Sequence, residues 1–315
     1  MCAISLFGTK ERTGRVNLFP RLRAGQTLTY QIAYHSDKRV KTESNVSAAA
    51  PGNASKVDTS ALLRLKVLGV RAIGARAVVQ AHATVEIFDT NPRYQIPNGE
   101  SSNPKVEEPV SAGKFVEFTI LSDGRLDQVN GLSAFLPAQQ QAWREWADRF
   151  LLAAALPAGA VLNQKWTSEV WETSPSPIAG LRWTRESTYV GDEPCHAVVL
   201  TERGDATAGD AEAGMCAVIL TNATLKQDSK VKNATPKDFK LHDLRTTGSA
   251  GGSNRIITFV SLETGILIRA TEEAVQQMDV TVAKADGSNR VHYNVDAKSH
   301  SAVVMVSDIG LKNPR

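Results

Sequence analysis

Several kinds of chemistry are missing from this 315-residue chain. It has three cysteines, too few for a disulfide framework and never in a CxxC pair. Charge of one sign is not in excess, since 36 basic residues stand against 33 acidic ones, for a net charge of +3. Nucleic-acid binders concentrate Lys and Arg on one face. The one lysine-rich stretch here, residues 226–240, is diluted by Asp228 and Asp238 and reads as a solvated loop. No segment approaches the roughly 20 apolar residues that a helix needs to cross a bilayer. The N-terminus, MCAISLFGTKERTGRVNLF, lacks the apolar core of about 7–15 residues that marks a secretory signal. Taken literally this describes a cytosolic chain, although Cys2 directly after Met1 would also suit a lipidated mature terminus. P-loop, dinucleotide-fold glycine, HExxH and GxSxG signatures are all absent. Gly248 to Gly252 is glycine-rich but has no Lys-Ser/Thr, so it reads as linker rather than phosphate loop.

What is present is period-two alternation. QTLTYQIAYH at 26–35 places Leu28, Tyr30, Ile32 and Tyr34 on one face and Thr27, Thr29, Gln31 and Ala33 on the other. Residues 78–87 set Val79, Ala81, Ala83, Val85 and Ile87 against Gln80, His82, Thr84 and Glu86. Side chains alternate across a strand, so such runs describe antiparallel sheets with one buried and one wet face. Further strands are expected at 62–68, 76–88, 114–121, 162–172 and 181–189. The last third reads as short strands at 255–262, 266–271, 277–283, 290–295 and 302–306, joined by turns at Thr264-Gly265 and Asp286-Gly287. Residues 89–113, with four prolines, read as a long exposed loop, and Ser122-Asp123-Gly124-Arg125 as a tight turn. A hydrophobic content of 42% and a charged content of 22% are ordinary globular usage.

One strong helix signal interrupts the strands. Over 133–156, Leu136, Trp143, Trp146, Ala147, Phe150, Leu151 and Ala154 recur at helical spacing. Ser133 is the expected N-cap, Pro137 fits only the first turn, and Pro157 and Gly159 end the helix. The expected organisation is an N-terminal tail over 1–23, one β domain over 24–306 and a C-terminal tail over 307–315. The composition TTGSAGGSN at 246–254 marks a linker and the best internal boundary.

Candidate chemistry is sparse. His292, Asn294 and Asp296 share one strand face with Val291, Tyr293 and Val295 opposite. Alternation explains them as a wet face, with His300 following, better than as a metal site. Glu272-Glu273 and Glu107-Glu108 are chain neighbours that point apart in a strand, so they do not form a facing carboxylate pair. His242-Asp243 is no dyad for the same reason. Cys195 and Cys216 open the runs CHAVVL and CAVILT. A simple hairpin would put Cys195 near Thr221, so the cysteines read as buried or free thiols, and a bridge would require another pairing. Aromatic faces can stack on an apolar ligand. Trp143, Trp146, Phe150 and Trp166 are therefore the candidate ligand contacts, although core packing explains tryptophan in a β protein first. No cofactor, metal or nucleic-acid partner is expected.

The runs FVEFTILSDGRLDQVNGL, LPAGAVLNQKWTSEVWE, FVSLETGILIRATEEAVQQMDVTV and DGSNRVHYNVDAKSHS resemble an uncharacterised, acidobacterial-type family of bacterial envelope proteins. Proteins of this look are likened to lipoprotein-carrier half-barrels, in which a curved antiparallel sheet wraps an apolar groove plugged by helices. The resemblance implies a periplasmic or envelope location and an apolar or lipidated partner, and it carries over no functional residue. The expected fold is mainly β (α+β), an antiparallel meander curved as a half-barrel or open barrel with one long amphipathic helix packed on it. Three functional readings follow. They are a non-enzymatic envelope protein that binds an apolar ligand in its groove, an accessory subunit of a larger assembly, and a hydrolase with a cryptic Ser/His/Asp site.

Overall fold

The computed structural model describes residues 14–44, 53–73, 78–95, 114–121, 126–150, 159–172, 176–195, 197–200, 206–209, 214–228 and 235–309. Cys2, Glu107-Glu108, the 122–125 turn, residues 151–156 of the expected helix and most of the two tails lie outside them.

The chain is mainly β. Strands β1 (Thr27–Ser44), β2 (Asn53–Ile73), β3 (Val78–Gln95), β4 (Val116–Ile120) and β5 (Leu126–Asn130) run outward in sequence from the middle of one antiparallel sheet. A 3₁₀ turn at Leu132–Ala134 and helix α1 (Pro137–Phe150) follow. The chain then re-enters at the opposite edge with β6 (Lys165–Trp171) and β7 (Leu181–Pro194). A small separate hairpin, β8 (Ala197–Leu200) with β9 (Ala206–Gly209), precedes β10 (Met215–Gln227) and the short helix α2 (Lys237–Leu241). Strands β11 (Leu244–Ser261), β12 (Leu267–Lys284) and β13 (Val291–Ile309) return to the centre, where β13 pairs with β1. The eleven-strand order is β5-β4-β3-β2-β1-β13-β12-β11-β10-β7-β6, and the edges β5 and β6 do not meet.

Between those two edges the chain makes a single crossing, and α1 lies on it. Contacts from α1 measure the curvature. The Trp143 ring packs 5.1 Å from that of Phe118 on β4, while Asp148 pairs with Arg185 on β7 at 3.0 Å. A flat sheet would hold β4 and β7 about 38 Å apart, eight strand spacings. Yet residues 143 and 148 are only about 7.5 Å apart along a helix axis. The sheet must therefore curl around the helix as an open half-barrel.

Local chemistry places the helix start. Leu136 is the N-cap, its carbonyl accepting the Gln140 N–H at 2.9 Å, and Pro137 occupies the first helical position, where no N–H is required. Gln139 Oε1 accepts the Leu136 N–H at 3.0 Å, the reciprocal half of a capping box. Ser133 falls in the 3₁₀ turn and is not the cap. Ala142, Trp143, Trp146, Ala147 and Phe150 are buried at helical spacing, whereas Leu136 is 44% exposed. Trp146 is fully buried, with the rings of Phe150, Trp143, Phe118 and Tyr30 at 4.8, 5.3, 6.0 and 6.1 Å. These rings sit on Leu28, Ile32, Leu63, Leu65, Val85 and Ile87 in the largest core cluster.

Several sequence expectations are corrected. Residues 246–254 are the middle of β11, bonded to β12 along their length, not a linker. A Cβ at Gly252 would stand 2.6 Å from the Val275 carbonyl oxygen, and one at Gly248 would collide with that of Asp279. The small residues allow close backbone approach within the sheet. The short strands expected at 266–271 and 277–283 are one strand, as are those at 290–295 and 302–306. Residues 89–95 belong to β3, where Pro92 is tolerated because β4 no longer pairs beside it. Residues 14–23 are not a loose tail. Val16 exchanges two 2.8 Å backbone hydrogen bonds with Ala160, and Leu18 is fully buried against Tyr189 and Ile219.

The cysteines are also corrected, because Cys195 and Cys216 form a disulfide. CAVILT pairs not with CHAVVL but with β7, where Cys216 faces Glu193 and Met215 faces Pro194. Cys195 N–H therefore donates to the Gly214 carbonyl, and Cys216, two residues further along, shares its face with a Cα separation of 5.1 Å. The bridge packs with Val218 and Phe259 in a small cluster.

Two outcomes follow. Trp146→Ala should lower the unfolding free energy in urea by about 3–5 kcal/mol. Trp146→Asp should lower it further, and an unchanged midpoint there would mean that α1 does not cover the core. Trp171→Ala, at a position 54% exposed, is the neutral control. Cys216→Ser should cost about 2–4 kcal/mol by releasing its loop, and alkylation of the unreduced, unfolded protein should leave Cys195 and Cys216 unmodified.

Candidate ligand-binding groove

α1 covers only part of the concave face. Paired residues share a face, so the registers define what lies beyond it. Val40 faces Val295, which faces Met278; Tyr293 faces Val280; and Ala297 faces Lys38 and Gln276. These rows form the floor of a groove of about 640 Å³. Segment 176–181 folds over the β10–β11 side, with Ile178 and Leu181 packed among Trp183, Leu225, Ala250 and Val280, and Phe239 of α2 stands at the rim. The volume falls in the range of small-molecule sites, about 300–1,000 Å³.

A second, polar compartment of about 260 Å³ adjoins it, and both are lined by Tyr34, Ser36, Glu172, Gln276 and Ala297. The charged face of α1 makes its wall. Arg149, 4% exposed at its side chain, pairs with Glu145 one helical turn back at 2.8 Å and with Glu272 of β12. Its guanidinium also donates to Ser301 Oγ at 3.2 Å. Arg185 pairs with Asp148, and the Trp183 indole N–H donates to Glu172 at 2.8 Å. Asn254 Nδ2 donates to Glu272 Oε1 at 2.6 Å. Burial, with Glu145 nearby, holds the Tyr34 phenol above its ordinary pKa against the opposing hydrogen bonds of Ser36 and Ser299. Tyr30, fully buried, is pushed up more strongly, by burial first.

The four aromatic residues singled out by sequence line neither compartment. Trp143, Trp146 and Phe150 are core beneath the helix, and Trp166 packs at the other end against the cluster of Val16, Leu18 and Tyr189. The floor residues Val40, Met278, Val280, Tyr293 and Val295 were missed, although Tyr293 and Val295 were legible as a dry face. The missing signal is cover, because alternation says which face is apolar and not what lies over it.

His35, His82, His292 and His300 stand on the convex face, opposite the strand neighbours that line the interior. His35 pairs with Asp58 at 2.6 Å and His82 with Glu117 at 2.7 Å, all roughly half exposed. His292 is within 3.2 Å of Thr281 Oγ1 but 3.8 Å from Asp279, beyond hydrogen-bond range and in the open. Glu273 is exposed while Glu272 turns inward, as expected of strand neighbours. No group of three or more metal-ligating side chains occurs among the described residues. No described helix is long and apolar enough to cross a membrane.

No protein-family model matches the chain, so the resemblance to acidobacterial envelope proteins gains no support there. No curated protein matches it either. Among solved structures it is similar to lipovitellin, in a structure of its lipid–protein interactions, at 14% identity and a TM-score of 0.39. That match covers 93% of this chain and only 26% of the lipovitellin chain. The outer membrane protein OprG of Pseudomonas aeruginosa matches 93% of this chain and 99% of its own, at 7% identity and a TM-score of 0.19. A DUF1329 family protein from Desulfovibrio piger matches 89% and 88%, at 8% identity and a TM-score of 0.14.

The ion-pair wall generates one expectation. Arg149→Met should destabilise by about 3–5 kcal/mol, because it leaves buried carboxylates unpaired. Adding Glu272→Gln should recover part of that loss in the same urea titration. No recovery would mean that Glu272 does not depend on Arg149.

Proposed function

We propose that this protein is a non-enzymatic binding protein that takes the apolar part of a ligand, or of a lipidated partner, into the open part of its half-barrel. The observation that carries this is the open stretch of concave floor around Val40, Met278, Tyr293 and Val295, bordered by α1 on one side and by segment 176–181 on the other. Apolar floor of this extent favours an occupant, because water over it is displaced at a gain. Trp143, Trp146, Phe150 and Trp166 serve by holding the helix and the far end of the sheet, so the groove keeps its shape when empty.

An extracytoplasmic, envelope location fits the Cys195–Cys216 bridge, because such bonds persist in oxidising compartments. The hydrolase reading has least support, since none of the described residues that line either compartment is a histidine. The accessory-subunit reading keeps one specific observation in its favour. Edge strand β6 ends on Trp171, 54% exposed, where an added strand or partner would dock.

Native mass spectrometry of the protein purified from its own host, followed by solvent extraction, tests the reading. The expected result is a retained apolar molecule that Ala297→Trp, which fills the groove, abolishes without changing the thermal midpoint. An apo protein that also fails to take up a fluorescent single-chain lipid overturns it. A stoichiometric protein partner would decide for the accessory subunit.

A further inference from the structure

We infer that the groove binds a single-chain amphiphile with an anionic head, which sits on Lys38 at the open β1 end while the chain runs toward segment 176–181. This rests on the groove reading and deepens it by naming the class of ligand.

The pairing of the interior charges argues first. Four carboxylates line the two compartments, and each already accepts from a donor. Arg149 takes Glu145 and Glu272, Arg185 takes Asp148, and the Trp183 indole N–H donates to Glu172. Of the four cations that line them, Lys38 and Arg144 are left without a carboxylate among the described residues, and Arg144 donates to Gln141 Oε1 at 3.2 Å instead. The unspent charge of the interior is therefore positive. A cationic head would find every carboxylate answered, whereas an anionic head meets a free cation without breaking a pair.

Position then separates the two cations. Arg144 shares the polar compartment with all four carboxylates. Lys38 shares the groove with one, Glu172, which follows β6, the sixth strand from β1 in the sheet order. The groove also has a polarity of its own. Tyr34, Ser36, Lys38 and Val40 share the concave face of β1 by strand alternation, and Lys38 is exposed. At the other end Leu181 and Leu225 are buried beside segment 176–181. An amphiphile laid from one end to the other buries its chain and keeps its head in water, within reach of the ammonium, so no charge is stripped of solvent. A charge pair exposed in this way is weak, and the selectivity it gives is modest and salt-dependent.

The experiment is isothermal titration calorimetry on the whole chain with laurate, dodecyl phosphate, 1-monolauroylglycerol and dodecyltrimethylammonium. Each is kept below its critical micelle concentration, in low salt and at a pH where laurate is ionised. Both anions are expected to bind at least about fivefold more tightly than the cation, with the uncharged head between them, and high salt should compress the ranking. The tighter of the two anions tells a carboxylate ligand from a phosphate one. Lys38→Glu should abolish or reverse the ranking. Lys41→Glu, the same charge change on the convex face of the same strand, should leave it intact. The wild-type ranking decides even if a variant does not fold. Equal affinities, or a preference for the cation, overturn the head-group inference and leave the groove reading standing. So does a ranking that survives Lys38→Glu and is lost in Arg144→Gln, which would put the head in the polar compartment, or one that Lys41→Glu abolishes equally. Binding by none of the four overturns both, and Ala297→Trp distinguishes groove binding, which it abolishes, from adsorption elsewhere.

Discussion

A sheet that curls without closing leaves an apolar concave face and two unpaired edges. The topology answers both with one segment. Strands β5 and β6 are neighbours in sequence yet stand at opposite edges of the eleven-strand order, so their connection must cross the opening. α1 lies on that crossing, with rings against β1 and β4 and charges against β7, β12 and β13. The centre of the sheet is secured differently. The first and last long strands pair over eighteen registered positions, so the barrel wall is continuous only when both ends of the domain have been made. Contacts this distant in sequence are slow to form and, once formed, bind the two meanders into one unit.

The helix has two buried faces of opposite character, and this divides the interior. Trp143, Trp146 and Phe150 face the β1–β4 wall and complete a dry core. Glu145 and Arg149, also buried, turn toward β12 and β13. Helical residues three and four apart share a face, so the same fourteen residues can finish a core on one side and build a polar partition on the other. The groove begins where that partition ends. Small residues extend the logic to the far wall. Gly248 and Gly252 keep β11 close to β12, while Ala250 leaves space that Ile178 and Trp183 occupy.

The fold class was legible because alternation survives at Leu28–Tyr30–Ile32 and Val85–Ile87, where one face is buried and the other wet. The helix was legible from the spacing of Trp143, Trp146, Ala147 and Phe150. What misled was composition. Small and polar residues at 246–254 resemble a linker, yet in a strand bonded to β12 along this whole stretch the backbone supplies its own hydrogen bonds and the side chains need only be thin. The cysteine pairing was missed because it turns on a register offset of a few residues, which no local signal fixes. The groove was half legible: Tyr293 and Val295 announced a dry face, but cover is a property of tertiary structure. Aromatic residues pointed to the core rather than to the cavity, because large rings are most stabilising where packing is complete.

The buried charges of the partition raise a last question, since a buried ion pair is seldom worth more than apolar residues of the same size. Replaced by leucines, Glu145, Arg149 and Glu272 would let α1 settle against the floor of β12 and β13, and the apolar surface now lining the groove would be consumed by the helix itself. Held as they are, the charges oppose that collapse. Arg149 must remain within reach of a carboxylate on its own helix, a carboxylate on β12 and a hydroxyl on β13 at once. Any slide of the helix toward the groove would break at least one of these contacts and strand a charge out of water. The triad thus fixes the depth of the helix in the half-barrel, and an open apolar floor next to a closed aromatic core is the consequence.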